Sequence, residues 1–139
     1  MWLFYAFLSS ISAAFVAIFA KAGLKDVDTT LATTVRAVIM ALFLVLVSLS
    51  LKKFEGFSMG TFSSRDWILI ILAGISGAIS WIFYFMALKY GLASRVAAID
   101  RTSLVFVILL AALFLGEKLG YKIAFGALLM LAGAFLITF

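Results

Sequence analysis

The chain has 139 residues, of which 67% are hydrophobic and 12% charged; its net charge is +5, and it contains no cysteine, histidine or proline. An ordinary soluble domain carries roughly 25% charged residues. A water-soluble core of this length could not hide so much apolar surface, and the mean hydropathy of +1.30 places the chain in a membrane. Without cysteine or histidine there is no disulfide, no thiolate metal site and no imidazole proton shuttle. The basic excess is not a nucleic-acid footprint, because the lysines and arginines gather at the ends of apolar stretches, where membrane proteins keep them.

A spanning helix needs about 20 mainly apolar residues, and five stretches meet that length: 2–20, 30–51, 67–88, 93–115 and 119–139. The first lacks a basic leader and a small-residue cleavage site, so it is expected to be a retained spanning helix. Residues 21–29, 52–66, 89–92 and 116–118 are polar connections, the second carrying the turn residues Gly56, Ser58, Gly60, Ser63 and Ser64. None is long enough for a soluble domain. Because a helix satisfies its own backbone in hydrocarbon, the expected fold is an all-α membrane protein of five transmembrane helices. The alternating ten-residue pattern of a β-barrel is absent. The fourth stretch is the least clean, with charges near its start.

An odd number of crossings puts the termini on opposite sides of the membrane. A second copy inserted upside-down would then complete an inverted repeat of the kind many transporters use. The basic residues of the connections divide five to four. Lys52, Lys53, Arg65, Lys118 and Lys122 fall on the N-terminal side, and Lys21, Lys25, Lys89 and Arg95 on the other. So small a difference leaves two alternatives open: insertion in both orientations, as an antiparallel homodimer requires, or a fixed orientation set by other features.

Within the spans, Ser9, Ser12 and Val16 share one stripe of the first helix and could line a cavity. Arg36 in the second helix and Asp100 in the fourth each lie about 9 to 10 Å into helices that start from the same side, so they can pair. A charge at such depth costs at least about 2.5–3.5 kcal/mol on insertion scales, which calls for a structural or functional reason. One reading is an ion pair of Asp100 with Arg36 or Arg101 that holds the bundle. The other makes Asp100, Arg101 and Arg36 a polar gate or coupling site. In the third helix Gly74, Gly77, Trp81, Tyr84 and Leu88 fall three or four apart on one face, with Ser80 nearby. Polar-tipped aromatics deep in a span form a wall suited to flat or amphipathic solutes and, through their π faces, to cations. Trp2, Tyr5 and Trp67 fit the interfacial belt instead. In the last helix Gly126 and Gly133, seven apart, form a close-approach surface within the chain or between subunits. No nucleophile, base and orienting group appear at useful spacing, so no catalytic residue, metal site or cofactor is assigned.

The YFMALKY run at 84–90, ASR at 93–95, LGEKL at 115–119 and GALLMLAG at 126–133 closely resemble the EamA domain of the drug/metabolite transporter superfamily. Arg36 matches an arginine that this domain tends to carry early in its second helix, and Lys21 its lysine at the end of the first. The resemblance covers essentially the whole chain. It implies one half of a ten-helix inverted-repeat fold, hence a homodimer around a central cavity. The IDRTSL run at 99–104 departs from the duplicated members, which usually have small or apolar residues and a proline there. The first helix also lacks the membrane-embedded glutamate through which the related small multidrug transporters couple protons, leaving Asp100 as the acid placed to substitute.

These readings together lead to an expected function. The chain should be a secondary transporter, working by alternating access as a homodimer in a bacterial or archaeal inner membrane. Its substrate would be a small metabolite or amphipathic compound, and membrane lipid its other partner. Ser9, Ser12, Ser80, Trp81, Tyr84 and Arg36 would wall the cavity, while Gly74, Gly77, Gly126 and Gly133 would pack helices. Two alternatives remain: a lipid or lipid-linked sugar flippase using the basic cluster of Lys21, Arg36, Lys89, Arg95 and Arg101, and a non-transporting partner subunit.

Overall fold

Proline-free apolar runs give the backbone no reason to leave the helical ladder, and hydrocarbon offers no other partner for its N–H and C=O groups. The computed structural model describes residues 1–24 and 26–139, Met59 by its backbone alone. Lys25, one of the basic loop residues counted above, lies outside the described residues. Among the described residues there is no strand, and five helices are long and apolar enough to cross a membrane. They are α1 (Trp2–Gly23), α2 (Thr29–Ser50), α3 (Ser64–Tyr90), a fourth span over Ala93–Leu115, and α6 (Tyr121–Thr138). The fourth span is broken into α4 (Ala93–Asp100), α5 (Ser103–Leu110) and a terminal π turn (Ala111–Leu115).

The ends of these helices follow capping chemistry. Asp28, in extended backbone, accepts the Leu31 N–H on Oδ1 at 2.9 Å and so starts α2. Before α3, the Ser63 N–H donates to Asp66 Oδ2 at 3.0 Å and the Asp66 N–H donates back to Ser63 Oγ at 3.2 Å. This reciprocal capping box carries α3 three residues ahead of the expected start at 67. α2 closes in a Schellman arrangement, with Lys53 N–H on Ser48 O at 2.9 Å and Lys52 N–H on Leu49 O at 3.0 Å. Lys52 takes the left-handed position usually given to glycine, at φ +52°.

The chain folds as two compact units, Gly23–Met86 and Met1–Ala22 with Ala87–Phe139. The first unit holds α2 and most of α3. Its connecting loop is folded by a chain of ring contacts, Phe54 to Phe57, Phe57 to Phe62 and Phe62 to Trp67, with centroids 5.5–6.1 Å apart. Aromatic rings of this kind suit the headgroup region, as expected for Trp67.

In the second unit, α4 packs against α6. Its buried side chains are mostly small: Ala17, Ala111, Ala127 and Ala134, with Leu88 completely enclosed. Burying alanine and turning large side chains outward is the membrane solution, since lipid tails are as apolar as leucine and close backbone approach is what packing gains. Ala127 and Ala134 directly follow Gly126 and Gly133 on α6. A Cβ added at either glycine would meet nothing within 4 Å, however.

One polar interaction ties α1 to the end of α3. The Lys21 ammonium, in the last turn of α1, donates to the carbonyl oxygens of Leu88 at 2.6 Å, Gly91 at 2.8 Å and, more weakly, Lys89 at 3.4 Å. The last carbonyls of a helix have no intrahelical donor and sit at the negative end of its dipole, so a cation there satisfies both deficits. The turn that follows is tight: Gly91 N–H bonds Ala87 O at 2.7 Å, and a Cβ on Gly91 would stand 2.7 Å from Val96 Cγ2.

The fourth span tightens in its middle. Thr102 N–H bonds Ile99 O at 2.9 Å, Leu104 N–H bonds Arg101 O at 3.1 Å and Val105 N–H bonds Thr102 O at 3.0 Å, all i to i−3. The Thr102 hydroxyl adds a 2.7 Å bond to Ile99 O. This 3₁₀ turn interrupts the helix at Arg101 and Thr102 without any proline. The span ends at Gly116, left-handed at φ +69°, its N–H turned back to Ala111 O.

Two outcomes are expected. Lys21→Met removes charge-assisted hydrogen bonds worth about 1.5–3 kcal/mol and should lower the detergent-solubilised melting temperature, with Lys21→Arg intermediate. Gly91→Ala should cost about 1–3 kcal/mol by overpacking, measured as a drop in that melting temperature, and adding Val96→Ala should restore most of the loss.

Candidate functional site

Residues three or four apart on a helix share a face. In the Gly23–Met86 unit this rule aligns Thr33, Arg36, Ala37 and Met40 on α2 with Gly74, Gly77, Ala78 and Trp81 on α3. The two stripes line an open cavity of about 420 Å³. Arg36 lies seven residues beyond the first residue of α2, about 10 Å along the helix. The pairing of small residues on α3 with a long cation on α2 makes the space: an added Cβ at Gly74 or Gly77 meets nothing within 4 Å.

The Arg36 guanidinium sits over the Trp81 ring, 3.7 Å from its centroid, with Phe85 at 5.6 Å. Tyr84 and Phe85 stand edge-on to Trp81 at 5.5 and 5.9 Å, fixing the indole plane beneath the cation. Cation–π contact is worth about 0.5–1 kcal/mol at an exposed site and about 2 kcal/mol when desolvated, against about 2.5–3.5 kcal/mol for inserting an arginine at the centre of a span. The indole offsets part of that cost. Among the described residues of this unit, no hydrogen bond or ion pair engages the guanidinium. The hydroxyls of Thr33 and Thr34 turn back onto their own helix, donating to Thr29 O at 2.7 Å and Thr30 O at 2.9 Å.

The structure thus brings together four residues singled out from the sequence: Arg36, Gly74, Gly77 and Trp81. Tyr84 joins them through its ring contact with Trp81. Ser80 lies on an exposed part of α3 and does not line this cavity. Ser9 and Ser12 belong to the other unit, where Ser12 Oγ donates to Leu8 O at 3.0 Å. Asp100 and Arg101 also belong to that unit. They are exposed neighbours at the 3₁₀ turn, with no ion pair between them. Leu88, the last member of the α3 stripe, is buried in that same unit, beneath the carbonyl that takes Lys21.

Sequence reasoning missed Thr33, Ala37 and Met40 as cavity residues, although counting three back and four on from Arg36 gives Thr33 and Met40, and four on from Thr33 gives Ala37. It placed Trp81 and Arg36 in one cavity wall without pairing the two side chains. Their stacking depends on the packing of α2 on α3, for which no spacing within one helix is a signal.

Comparison with known proteins agrees with this architecture. The EamA-like transporter family matches residues 1–139. A Sinorhizobium sp. protein, named as an uncharacterized transporter in the cobO 3' region, is 36% identical over 137 residues, covering 99% of this chain and 96% of the relative. No solved structure matches the chain.

The contact between Arg36 and Trp81 should appear in a double-mutant cycle of Arg36→Leu and Trp81→Leu followed by thermal unfolding in detergent. The expected coupling is about 0.5–2 kcal/mol; additive effects would show that the stacking contributes nothing.

Proposed function

Since the chain belongs to the EamA-like transporter family, we propose that it is a secondary active transporter that exports a small metabolite or amphipathic compound, acting as a homodimer by alternating access. It is an integral membrane transporter with five spans. The observation that carries the finer reading is the cavity between α2 and α3, which sets a cation and an indole face inside an otherwise apolar span.

Five crossings leave the termini on opposite sides, and an inverted second copy supplies the missing half of the repeat. The near-balance of basic loop residues permits both orientations. The open surface at Gly126 and Gly133, where a Cβ would meet nothing, is available to that second copy. The bacterial relative supports a bacterial inner membrane as its location. In the alternating cycle, the 3₁₀ turn at Arg101 and Thr102 and the π turn at Ala111–Leu115 are the places where the fourth span can bend at least cost. Asp100, beside the first of these, is the acid assigned to gating or coupling.

The assembly is tested by Phe139→Cys in this cysteine-free chain, labelled with an impermeant maleimide in intact cells. Labelling of roughly half the molecules is expected for the antiparallel dimer. Uniform labelling or uniform protection would overturn it. Transport itself is read as flux of small amphipathic solutes into proteoliposomes above protein-free liposomes. Asp100→Asn, inserted normally, is expected to lower that flux.

A further inference from the structure

The cavity's chemistry says what kind of solute it takes. Its charge is one-sided, with acceptor capacity confined to the hydroxyl oxygens of Thr33 and Thr34. No acidic side chain lines it. The Thr33 and Thr34 hydroxyl protons are committed to the carbonyls of Thr29 and Thr30. The donors left over are the indole N–H of Trp81 and the N–H groups of Arg36, whose guanidinium carbon stands 3.7 Å from the Trp81 ring centroid while no carboxylate or carbonyl of its own unit engages it. A guanidinium presents five donors and no acceptor, stays charged at all physiological pH values, and is shaped for the paired oxygens of a carboxylate, sulfonate or phosphonate.

The indole face that could have attracted a cationic solute is covered by the protein's own cation. A second positive charge in the cavity would meet Arg36 at short range in a poorly screening medium and be repelled. The rest of the lining, including Met40, Ala73 and Ile82, is apolar, and about 420 Å³ is at the small end of ligand cavities. We infer that the α2–α3 cavity is a binding subsite for a small organic anion, its charged group held by Arg36 and its apolar body by Trp81, Met40 and Ile82. This deepens the transporter reading and rests on it. It replaces the sequence expectation that the aromatic wall would suit cations.

The test uses three probes of similar size and different charge: 4-toluenesulfonate, its neutral isostere 4-toluenesulfonamide, and benzyltrimethylammonium. Binding is read from Trp81 fluorescence in maltoside-solubilised full-length protein carrying Trp2→Phe and Trp67→Phe. Flux of each probe is read in proteoliposomes. The sulfonate is expected to bind at least ten-fold more tightly than the amide, with the ammonium weakest. Arg36→Gln should abolish that preference, Arg36→Lys should keep part of it, and Gly77→Leu, which fills the space, should weaken all three.

Equal affinities, preference for the ammonium, or no sulfonate binding at millimolar concentration would overturn the inference, and these comparisons on the protein with Arg36 intact stand even if the Arg36 variants fail to fold. Displacement of the sulfonate by phosphatidylglycerol at equimolar concentration would also overturn it, assigning the charge to a lipid headgroup. Sulfonate binding without flux would uphold the subsite while removing the transporter reading. Flux of the ammonium or amide in preference to the sulfonate would do the reverse.

Discussion

A backbone group in hydrocarbon has no water to fall back on, so every place where a helix stops or bends inside the membrane must find its partner within the protein. This constraint organises the chain. Where α3 ends, its last carbonyls are met by the Lys21 ammonium. Where the fourth span tightens, the freed Ile99 carbonyl accepts both the N–H and the hydroxyl of Thr102. Where that span ends, the Ala111 carbonyl accepts from Gly116 and from Glu117. Each break is a short rearrangement of hydrogen bonds rather than a loss of them, and for that reason each can be tolerated without proline.

The same constraint explains the distribution of side chains. Hydrophobic burial contributes nothing between helices already in lipid, so alanines take many of the enclosed positions and most large residues face outward, with Leu24, Phe85 and Leu88 the buried exceptions. Glycine is used in two different ways. Gly91 is required by the close approach of Val96 in a turn with no room for a Cβ. Gly74 and Gly77 leave space unfilled, and that space is the cavity.

Arg36 is the polar counterpart of that space. A permanent charge about 10 Å along a spanning helix must be compensated, and the indole of Trp81, braced edge-on by Tyr84 and Phe85, compensates it only in part. Structure and function meet in that remainder. A fully paired arginine would be a structural strut, whereas the N–H groups of Arg36 meet no hydrogen-bond or ion-pair partner among the described residues of its unit, and the proposed anion subsite is built on that. The family assignment supplies the setting of transport, and the residues of α2 and α3 supply the chemistry.

The five spans and their order follow directly from apolar runs of sufficient length, because hydropathy acts on each segment independently of its neighbours. The α3 stripe of Gly74, Gly77 and Trp81 was equally legible from helical spacing, as was the depth of Arg36. Helix breaks were not, since the 3₁₀ turn at Thr102 and the π turn before Gly116 arise from hydrogen-bond choices that proline would have announced but threonine and alanine do not. Nor was the partner of Arg36: a carboxylate is the natural sequence candidate for a buried cation, whereas an indole face becomes one only when two helices pack with the ring turned toward the charge. Length and hydropathy by themselves determined that the chain spans the membrane five times. Only the tertiary structure decided what the half-buried charge of Arg36 touches, because that depends on the relative rotation of α2 and α3, a quantity no single segment encodes.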